Sequence, residues 1–215
     1  MKWKIIIFDL DGVICQTDQY HYLAWKKLSK ELGIPFSRSL NNRLRGVSRM
    51  QSLEILLGER SNRFSDEEKE MLAERKNQDY RAMLQKMTPN DLSEDVHSTL
   101  LALRQMGYRL AIGSSSKNAM LILERIGLGS FFDAAVDGRM IQRSKPDPEV
   151  FLLAAAMLNA RPQDCLVVED AEAGLAAAKA GGFTAVGLGK SAYLMQADYH
   201  IERFSQLLSV VASKD

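Results

Sequence analysis

The amino-acid sequence predicts an α/β protein with a doubly wound parallel sheet, a Rossmann-like core, and an inserted α-helical cap domain. Two patterns support this prediction. Beyond about residue 93, apolar strand-like runs alternate with helical patterns, as parallel sheets require. A stretch of roughly 75 residues with only helical periodicity separates these runs from an earlier one near the N-terminus. We therefore expect the core to comprise residues 1–14 and 93–215, and the cap residues 15–92.

The N-terminal part contains one predicted strand followed by helices. The Ile-rich run from Trp3 to Phe8 is typical of a strand buried on both faces. Helical periodicity then covers three segments, and Ser65 followed by acidic residues predicts the N-cap of the third. No strand is predicted between Cys15 and about Asn90, and hinges are expected at 15–18 and 88–92. The predicted cap helices are 19–33, 41–57 and 66–87.

The C-terminal part alternates regularly between the two periodicities, which favours a parallel sheet covered by helices on both faces. We expect strands at 109–113, 134–136, 165–168 and 184–187, and helices at 96–106, 119–126, 149–158 and 171–180.

Composition excludes several classes of partner. The chain has 28 Lys and Arg against 27 Asp and Glu, so no overall field favours nucleic acid or an acidic membrane surface. No apolar run is long enough for a membrane span. Two cysteines are too few for a disulfide framework and fit a reducing compartment, so we expect a cytoplasmic protein, with Cys15 serving in packing.

Four short polar segments each follow an apolar run. They are 9–12 (Asp-Leu-Asp-Gly), 114–118 (Ser-Ser-Ser-Lys-Asn), 145–146 (Lys-Pro) and 169–170 (Glu-Asp). Ligands bind beyond the carboxyl ends of parallel strands, so these segments are expected to form one site. Each also has a structural explanation by itself: acidic turn, helix N-cap or exposed lysine. Their occurrence together in this order favours the functional interpretation.

The residue types suit phosphoryl transfer through a phosphorylated aspartate. An ionised Asp9 could accept a phosphoryl group, while Asp11 moves a proton to or from the reacting oxygen. Glu169 and Asp170, with Asp9 and the first loop at Asp11, could hold one Mg²⁺ through oxygen ligands. Lys145 could neutralise the transferring oxygens, and the Ser114 hydroxyl faces the same crevice.

These motifs resemble those of the haloacid dehalogenase-like phosphotransferase superfamily over essentially the full chain. The matching residues are Asp9, Asp11, Gly12, Ser114, Lys145, Glu169 and Asp170. Members with an α-helical cap after the first strand have their insert at the same position. The resemblance thus implies the nucleophile, proton-transfer and magnesium roles that the residue types suggest.

Cap segments extend the resemblance to sugar-phosphate mutases of this superfamily. The segments are 20–21, 24–26, 46–49, 75–77 and, in the core, 116–118. The resemblance implies that Thr17 and His21 place Asp11. It also implies that Arg49, with Ser116, Lys117 and Asn118, holds the phosphate that is not transferred. It further implies substrate contacts from Trp25, Gly46, Val47, Ser48, Lys76, Ser115, Ser116, Lys117 and Asn118. Without the resemblance, solvated helix surface would explain the cap arginines (Arg43, Arg45, Arg49 and Arg75), and packing of the cap would explain Thr17, His21 and Trp25.

Three functions stay open at this point. The first is a phosphomutase that interconverts β-glucose 1-phosphate and glucose 6-phosphate through phospho-Asp9 and glucose 1,6-bisphosphate. A bisphosphate has two anionic ends, which matches a second anion site at Arg49. The second is a Mg²⁺-dependent sugar-phosphate phosphatase. The third is a non-enzymatic phospho-receiver, against which Asp11 argues because a receiver needs no proton donor. A small sugar phosphate is the expected partner, and a monomer the expected state.

Overall fold

The computed structural model describes residues 2–190 and 196–213, and within them the chain forms six strands and nine α-helices. The strands are β1 Ile5–Phe8, β2 Arg109–Gly113, β3 Ala134–Val136, β4 Cys165–Glu169, β5 Thr184–Leu188 and β6 Tyr199–Ile201. The helices are α1 Asp18–Glu31, α2 Arg38–Arg43, α3 Arg49–Leu57, α4 Asp66–Leu84, α5 Glu94–Gln105, α6 Ala119–Arg125, α7 Glu149–Met157, α8 Glu172–Ala180 and α9 Leu207–Ala212. None of the helices in these two ranges has the length and apolar character that a membrane crossing requires.

The strands form one parallel sheet in the order β3-β2-β1-β4-β5-β6, which confirms the predicted fold class. The central strand β1 is buried throughout. Ile6 and Phe8 pack with α5, α6 and α9 on one face, whereas Ile5 and Ile7 pack with α7 and α8 on the other. Burial on both faces explains why β1 is continuously apolar.

The strand order reverses direction at β1. The chain reaches β2 and β3 on one side of β1, and later β4, β5 and β6 on the other. Ligands of doubly wound sheets bind at such a switch point, in the crevice beyond the carboxyl ends of the strands. Asp9 directly follows β1 and Glu169 ends β4, so the two carboxylates meet at this crevice.

The helical insert between β1 and β2 has its own apolar cluster. Trp25 and Leu28 of α1 pack there with Leu53 and Leu56 of α3. Ser65 caps α4 with a full capping box, as predicted. The exact division into residues 15–92 and the rest stays a prediction.

The structure differs from the sequence-based elements in two places. The segment predicted as one helix, 41–57, forms α2 and α3 with a turn between them. Gly46 in that turn has φ +75°, and the Ser48 side chain caps α3. Strand β6 and helix α9 were not predicted, because β6 contains no continuous apolar run and the six residues of α9 are too few to show helical periodicity.

Both cysteines are free and buried. Burial raises the pKa of Cys15 to about 12 and that of Cys165 to about 11. A thiol that stays protonated is a poor nucleophile, which agrees with a packing role for Cys15.

Candidate active site

The Asp9 carboxylate lies at the base of the crevice beside a buried ammonium group. Lys145 Nζ donates to Asp9 Oδ1 at 2.5 Å and to Glu169 Oε1 at 2.6 Å. Lys145 and Glu169 are fully buried, and Asp9 is nearly so. Two carboxylates therefore share one lysine in a region of low dielectric constant.

Burial raises the pKa of Asp9 to about 8, and the charges of Glu169 and Asp11 act in the same direction against that of Lys145. Burial also raises the pKa of Asp170. The charges of Lys145 and of Arg45, which pairs with Asp170, thus do not offset the burial of the carboxylates, and an ionised Asp9 needs additional positive charge at neutral pH.

The carboxylates of Asp9, Glu169 and Asp170 form a candidate metal site. One oxygen from each lies within 4.8 Å of the others, a spacing that one cation can bridge. The donor set consists of oxygens and carries excess negative charge, so it fits a hard divalent cation. Glu169 is held rigidly, since the backbone N–H groups of Asp170 and Ala171 each donate to its Oε2 at 2.8 Å.

Gly12 leaves space for this cluster. Its φ is +95°, and a Cβ at this position would lie 2.1 Å from Asp170 Oδ2. Only glycine therefore permits both the turn after Asp11 and the close approach of Asp170.

Replacing Gly174 with Ala is expected to destabilise the protein, although the same change in an ordinary helix stabilises it by about 1 kcal/mol. A Cβ on Gly174 in α8 would lie 1.7 Å from Glu169 Oε1, and this carboxylate is buried and hydrogen-bonded. We expect a loss of about 1–3 kcal/mol in unfolding free energy, with weaker Mg²⁺ binding. Denaturant unfolding and metal titration measure both.

Gly129→Ala is the matched control, because its Cβ would come no closer than 3.4 Å to Glu124 Cγ. A Gly174→Ala variant as stable as the wild type would show that Glu169 can move, and would contradict the rigid site.

The Asp11 carboxylate contacts side chains of the helical insert. Thr17 Oγ1 donates to Asp11 Oδ1, Tyr80 OH donates to the same oxygen at 3.2 Å, and His21 Nε2 lies 3.5 Å from it. Burial opposes ionisation, but the hydrogen bonds from His21, Thr17 and Tyr80 hold the pKa of Asp11 below its usual value. An ionised Asp11 can accept a proton. The Asp11 carboxylate is not part of the cluster of Asp9, Glu169 and Asp170, and a contribution of Asp11 to the metal site through its backbone carbonyl stays a prediction.

Lys76 connects this group to the substrate side of the cap. Its Nζ lies 2.9 Å from His21 Nδ1 and 4.7 and 4.6 Å from the ring centroids of Trp25 and Tyr80. Burial lowers the pKa of Lys76 to about 7, and burial also lowers that of His21. A neutral imidazole that accepts at Nδ1 carries its proton on Nε2, which faces Asp11.

The 114–118 loop lies between β2 and α6. Ser116 N donates to Ser114 Oγ at 3.1 Å, and Asn118 N donates to Ser116 Oγ at 3.2 Å. Ser115 Oγ is buried, and among the described residues it has no hydrogen-bond partner. A buried hydroxyl of this kind normally needs a partner, so it is available to a ligand.

The cap touches the core on both sides of the crevice. Asn118 Nδ2 donates to Asn77 Oδ1 at 2.9 Å, and Arg81 Nη1 donates to Asn118 Oδ1 at 3.2 Å. On the other side, Arg45 pairs with Asp170 and also with Asp18, at 2.8 Å. These contacts join the cap directly to the 114–118 loop and to the candidate metal site.

A cavity of about 600 Å³ between cap and core collects most of the predicted residues. Those that line it are Asp9, Asp11, His21, Trp25, Gly46, Val47, Ser48, Arg49, Lys76, Ser114, Ser115, Ser116, Lys117, Asn118 and Asp170. Thr17, Lys145 and Glu169 are buried behind the wall, where they contact Asp11, Asp9 and the Asp170 backbone, respectively.

Sequence reasoning missed some residues of this site. Tyr80 lies four residues after Lys76 on the same helical face, and that spacing could have identified it. Solvated helix surface does not explain Arg45 and Arg49, because both line the cavity. It does fit Arg75, which is half exposed and pairs with Glu31. Glu74 also lines the cavity, with no pattern that predicts it.

Fold and site together define a haloacid dehalogenase-like protein, and the chain belongs to that family. The model of the haloacid dehalogenase-like hydrolases matches residues 3–182. A β-phosphoglucomutase of Bacillus subtilis is 43% identical over 95% of this chain and 91% of its own length. The crystal structure of a β-phosphoglucomutase from Clostridium difficile superimposes with a TM-score of 0.91 at 38% identity, covering 95% of this chain and 93% of the other. A fructose-1-phosphate phosphatase of Escherichia coli is 30% identical over 86% of this chain and 96% of its own length.

Proposed function

We propose that this protein is a β-phosphoglucomutase, which interconverts β-glucose 1-phosphate and glucose 6-phosphate. The observation that carries the proposal is one cavity lined by two sets of groups. Asp9, Asp11 and Ser114 form the reacting set. Arg49, Ser116, Lys117 and Asn118 form a second set, the distal phosphate subsite. A sugar bisphosphate needs both, and the relative at 43% identity carries the mutase name.

In the first half-reaction, phosphorylated Asp9 gives its group to the sugar. Asp11, already ionised, removes the proton of the C6 hydroxyl, and O6 attacks phosphorus as the bond to the Asp9 carboxylate breaks. The product is glucose 1,6-bisphosphate with a free Asp9 carboxylate.

In the second half-reaction, the bisphosphate is bound in the opposite orientation. The Asp9 carboxylate attacks the C1 phosphate, the bond from phosphorus to O1 breaks, and protonated Asp11 returns the proton to O1. Glucose 6-phosphate leaves and Asp9 is phosphorylated again. Lys145 and the Ser114 hydroxyl stabilise charge on the transferring oxygens, and the distal phosphate subsite holds the other phosphate.

Mg²⁺ is the proposed metal, held by Asp9, Glu169, Asp170 and the Asp11 carbonyl. It would supply the positive charge that keeps Asp9 ionised and neutralises phosphoryl oxygens. Thr17, His21 and Tyr80 orient Asp11, while Trp25, Gly46, Val47, Ser48, Lys76 and Ser115 surround the sugar. Because Lys76 and His21 belong to the cap, its closure both excludes water and places Asp11.

A phosphatase is the second candidate, since a relative with 30% identity hydrolyses fructose 1-phosphate by its name. Incubation with β-glucose 1-phosphate, Mg²⁺ and a trace of glucose 1,6-bisphosphate separates the two. We expect glucose 6-phosphate with little free phosphate, and no reaction of the α anomer. Stoichiometric free phosphate without the isomer would refute the mutase.

The proposal also includes the location and the oligomeric state of the enzyme, which we expect to be cytoplasmic and monomeric. Two buried free thiols are consistent with a reducing compartment. Light scattering after size-exclusion chromatography measures the oligomeric state.

A further inference from the structure

A carboxylate lies beside the arginine of the distal phosphate subsite. Arg49 Nη1 of α3 lies 3.0 Å from Glu74 Oε2 of α4, and both residues line the cavity. A negative side chain next to a phosphate ligand is unexpected, because it repels the phosphate and neutralises the guanidinium. Glu74 therefore has an electrostatic effect on any anion bound there.

Glu74 is also tied to the 114–118 loop. Asn77 Nδ2 lies 3.3 Å from both carboxylate oxygens of Glu74, and Asn77 Oδ1 accepts from Asn118 Nδ2 at 2.9 Å. Asn118 is itself a member of the distal phosphate subsite. Glu74 is thus oriented toward the subsite by a hydrogen-bonded chain and is not simply a surface group.

Apart from Glu74, the charged groups near Arg49 favour the binding of an anion. Burial and the charge of Arg81 lower the pKa of Arg49, and Glu74 acts in the opposite direction. Arg81 also donates to Asn118, so two guanidinium groups flank this end of the cavity. Without the carboxylate, the local potential would be more positive.

The pair is weak enough to be exchanged for a phosphate. The Glu74 side chain is 53% exposed and that of Arg49 22%. A partly exposed ion pair contributes about 0–1 kcal/mol, whereas a phosphate dianion brings more charge and can accept two N–H groups of one guanidinium. Phosphate can thus displace Glu74, but at a cost in affinity.

We propose that Glu74 is a built-in counter-ion that competes with phosphate for Arg49, and so sets the affinity and charge selectivity of the distal phosphate subsite. The inference rests on the proposed function only in taking Arg49 as a phosphate ligand. A dianion can displace the carboxylate, whereas a neutral sugar cannot.

Calorimetric titration with inorganic phosphate at constant ionic strength tests this. Glu74→Gln is expected to bind phosphate about two- to fivefold more tightly, the factor that corresponds to a weak ion pair. Glu59→Gln, which removes the same charge from an exposed cap position outside the cavity, is expected to bind phosphate as the wild type does. Unchanged or weaker binding by Glu74→Gln would overturn the proposal, since Glu74 would then merely orient Arg49.

A double-mutant cycle with Arg49→Gln identifies the partner. The gain from Glu74→Gln is expected to become clearly smaller when Arg49 is absent, because only the direct repulsion between Glu74 and phosphate then remains to be relieved, and a gain of the same size in that background would overturn the proposal. Phosphate binding needs no turnover, so these results are independent of the isomerisation assay. A wild-type protein without mutase activity, together with a gain in phosphate binding by Glu74→Gln, would refute the proposed function alone.

Discussion

Replacing Asp9 with Asn is expected to abolish turnover of β-glucose 1-phosphate, by about 10⁴-fold or more, the scale on which loss of a catalytic nucleophile acts. An amide nitrogen or neutral amide oxygen cannot form the acyl phosphate. The fold is expected to persist, because Lys145 keeps Glu169 as an ionic partner at 2.6 Å. Steady-state assays measure turnover. Mass spectrometry of the protein after exposure to glucose 1,6-bisphosphate measures its phosphorylation.

Asp95→Asn is a suitable control, since it makes the same change on the exposed first turn of α5. Asp9→Asn is not expected to lower the midpoint of thermal unfolding at pH 7. Burial raises the pKa of Asp9 to about 8, so in the folded protein its ionisation is disfavoured at that pH. Turnover within tenfold of the wild type, or a phosphorylated Asp9→Asn protein, would place the nucleophile elsewhere.

Replacing Lys145 with Met is expected to cost about 3–5 kcal/mol of unfolding free energy in metal-free protein, as removal of one partner from a buried ionic group does. The ammonium is fully buried and serves Asp9 at 2.5 Å and Glu169 at 2.6 Å. Its loss leaves the buried Glu169 carboxylate without a cation and Asp9 without a hydrogen-bond donor. Activity is expected to fall as well, because the charge that stabilises the transferring oxygens is removed. Urea unfolding with and without Mg²⁺ measures the stability change.

Mg²⁺ is expected to restore part of the lost stability, since it supplies positive charge to the same oxygens. Combining Lys145→Met with Asp9→Asn is expected to restore little of it without metal at pH 7, because burial raises the pKa of Asp9 to about 8 and its carboxyl group is then largely uncharged. Lys86→Met, at an exposed position after α4, controls for the loss of a lysine. A metal-free Lys145→Met protein as stable as the wild type would mean that the carboxyl groups need no cation beside them.

The fold class could be predicted because periodicity and burial have the same physical cause. β1 and residues 165–168 of β4 are continuously apolar since helices cover both faces of the sheet, and strands 109–113 and 134–136 have the predicted bounds. β6 was not predicted because its residues, Tyr199 to Ile201, form no continuous apolar run, whereas the equally short edge strand β3 is apolar throughout. The break between α2 and α3 depends on a positive φ at Gly46, which the residue type permits but does not require.

The core of the site could be predicted for a related reason. Asp9, Ser114 and Glu169 each come at the end of a strand, and parallel strands bring their carboxyl ends to one edge. The cap residues were known only through resemblance, since no spacing along the chain links His21 to Lys76. Tyr80 contacts Asp11 across 69 positions of sequence, so only folding reveals the hydrogen bond.

The sequence by itself determined the order of the strands along the chain, the helical insert and the four polar segments, because apolar periodicity and turn chemistry are local properties. Only the tertiary structure decided which charges meet. It placed Lys145 between Asp9 and Glu169, turned Asp11 toward His21, and set Glu74 against Arg49. Coulomb interactions and desolvation depend on distance and burial in space, and neither quantity is written in the spacing of residues.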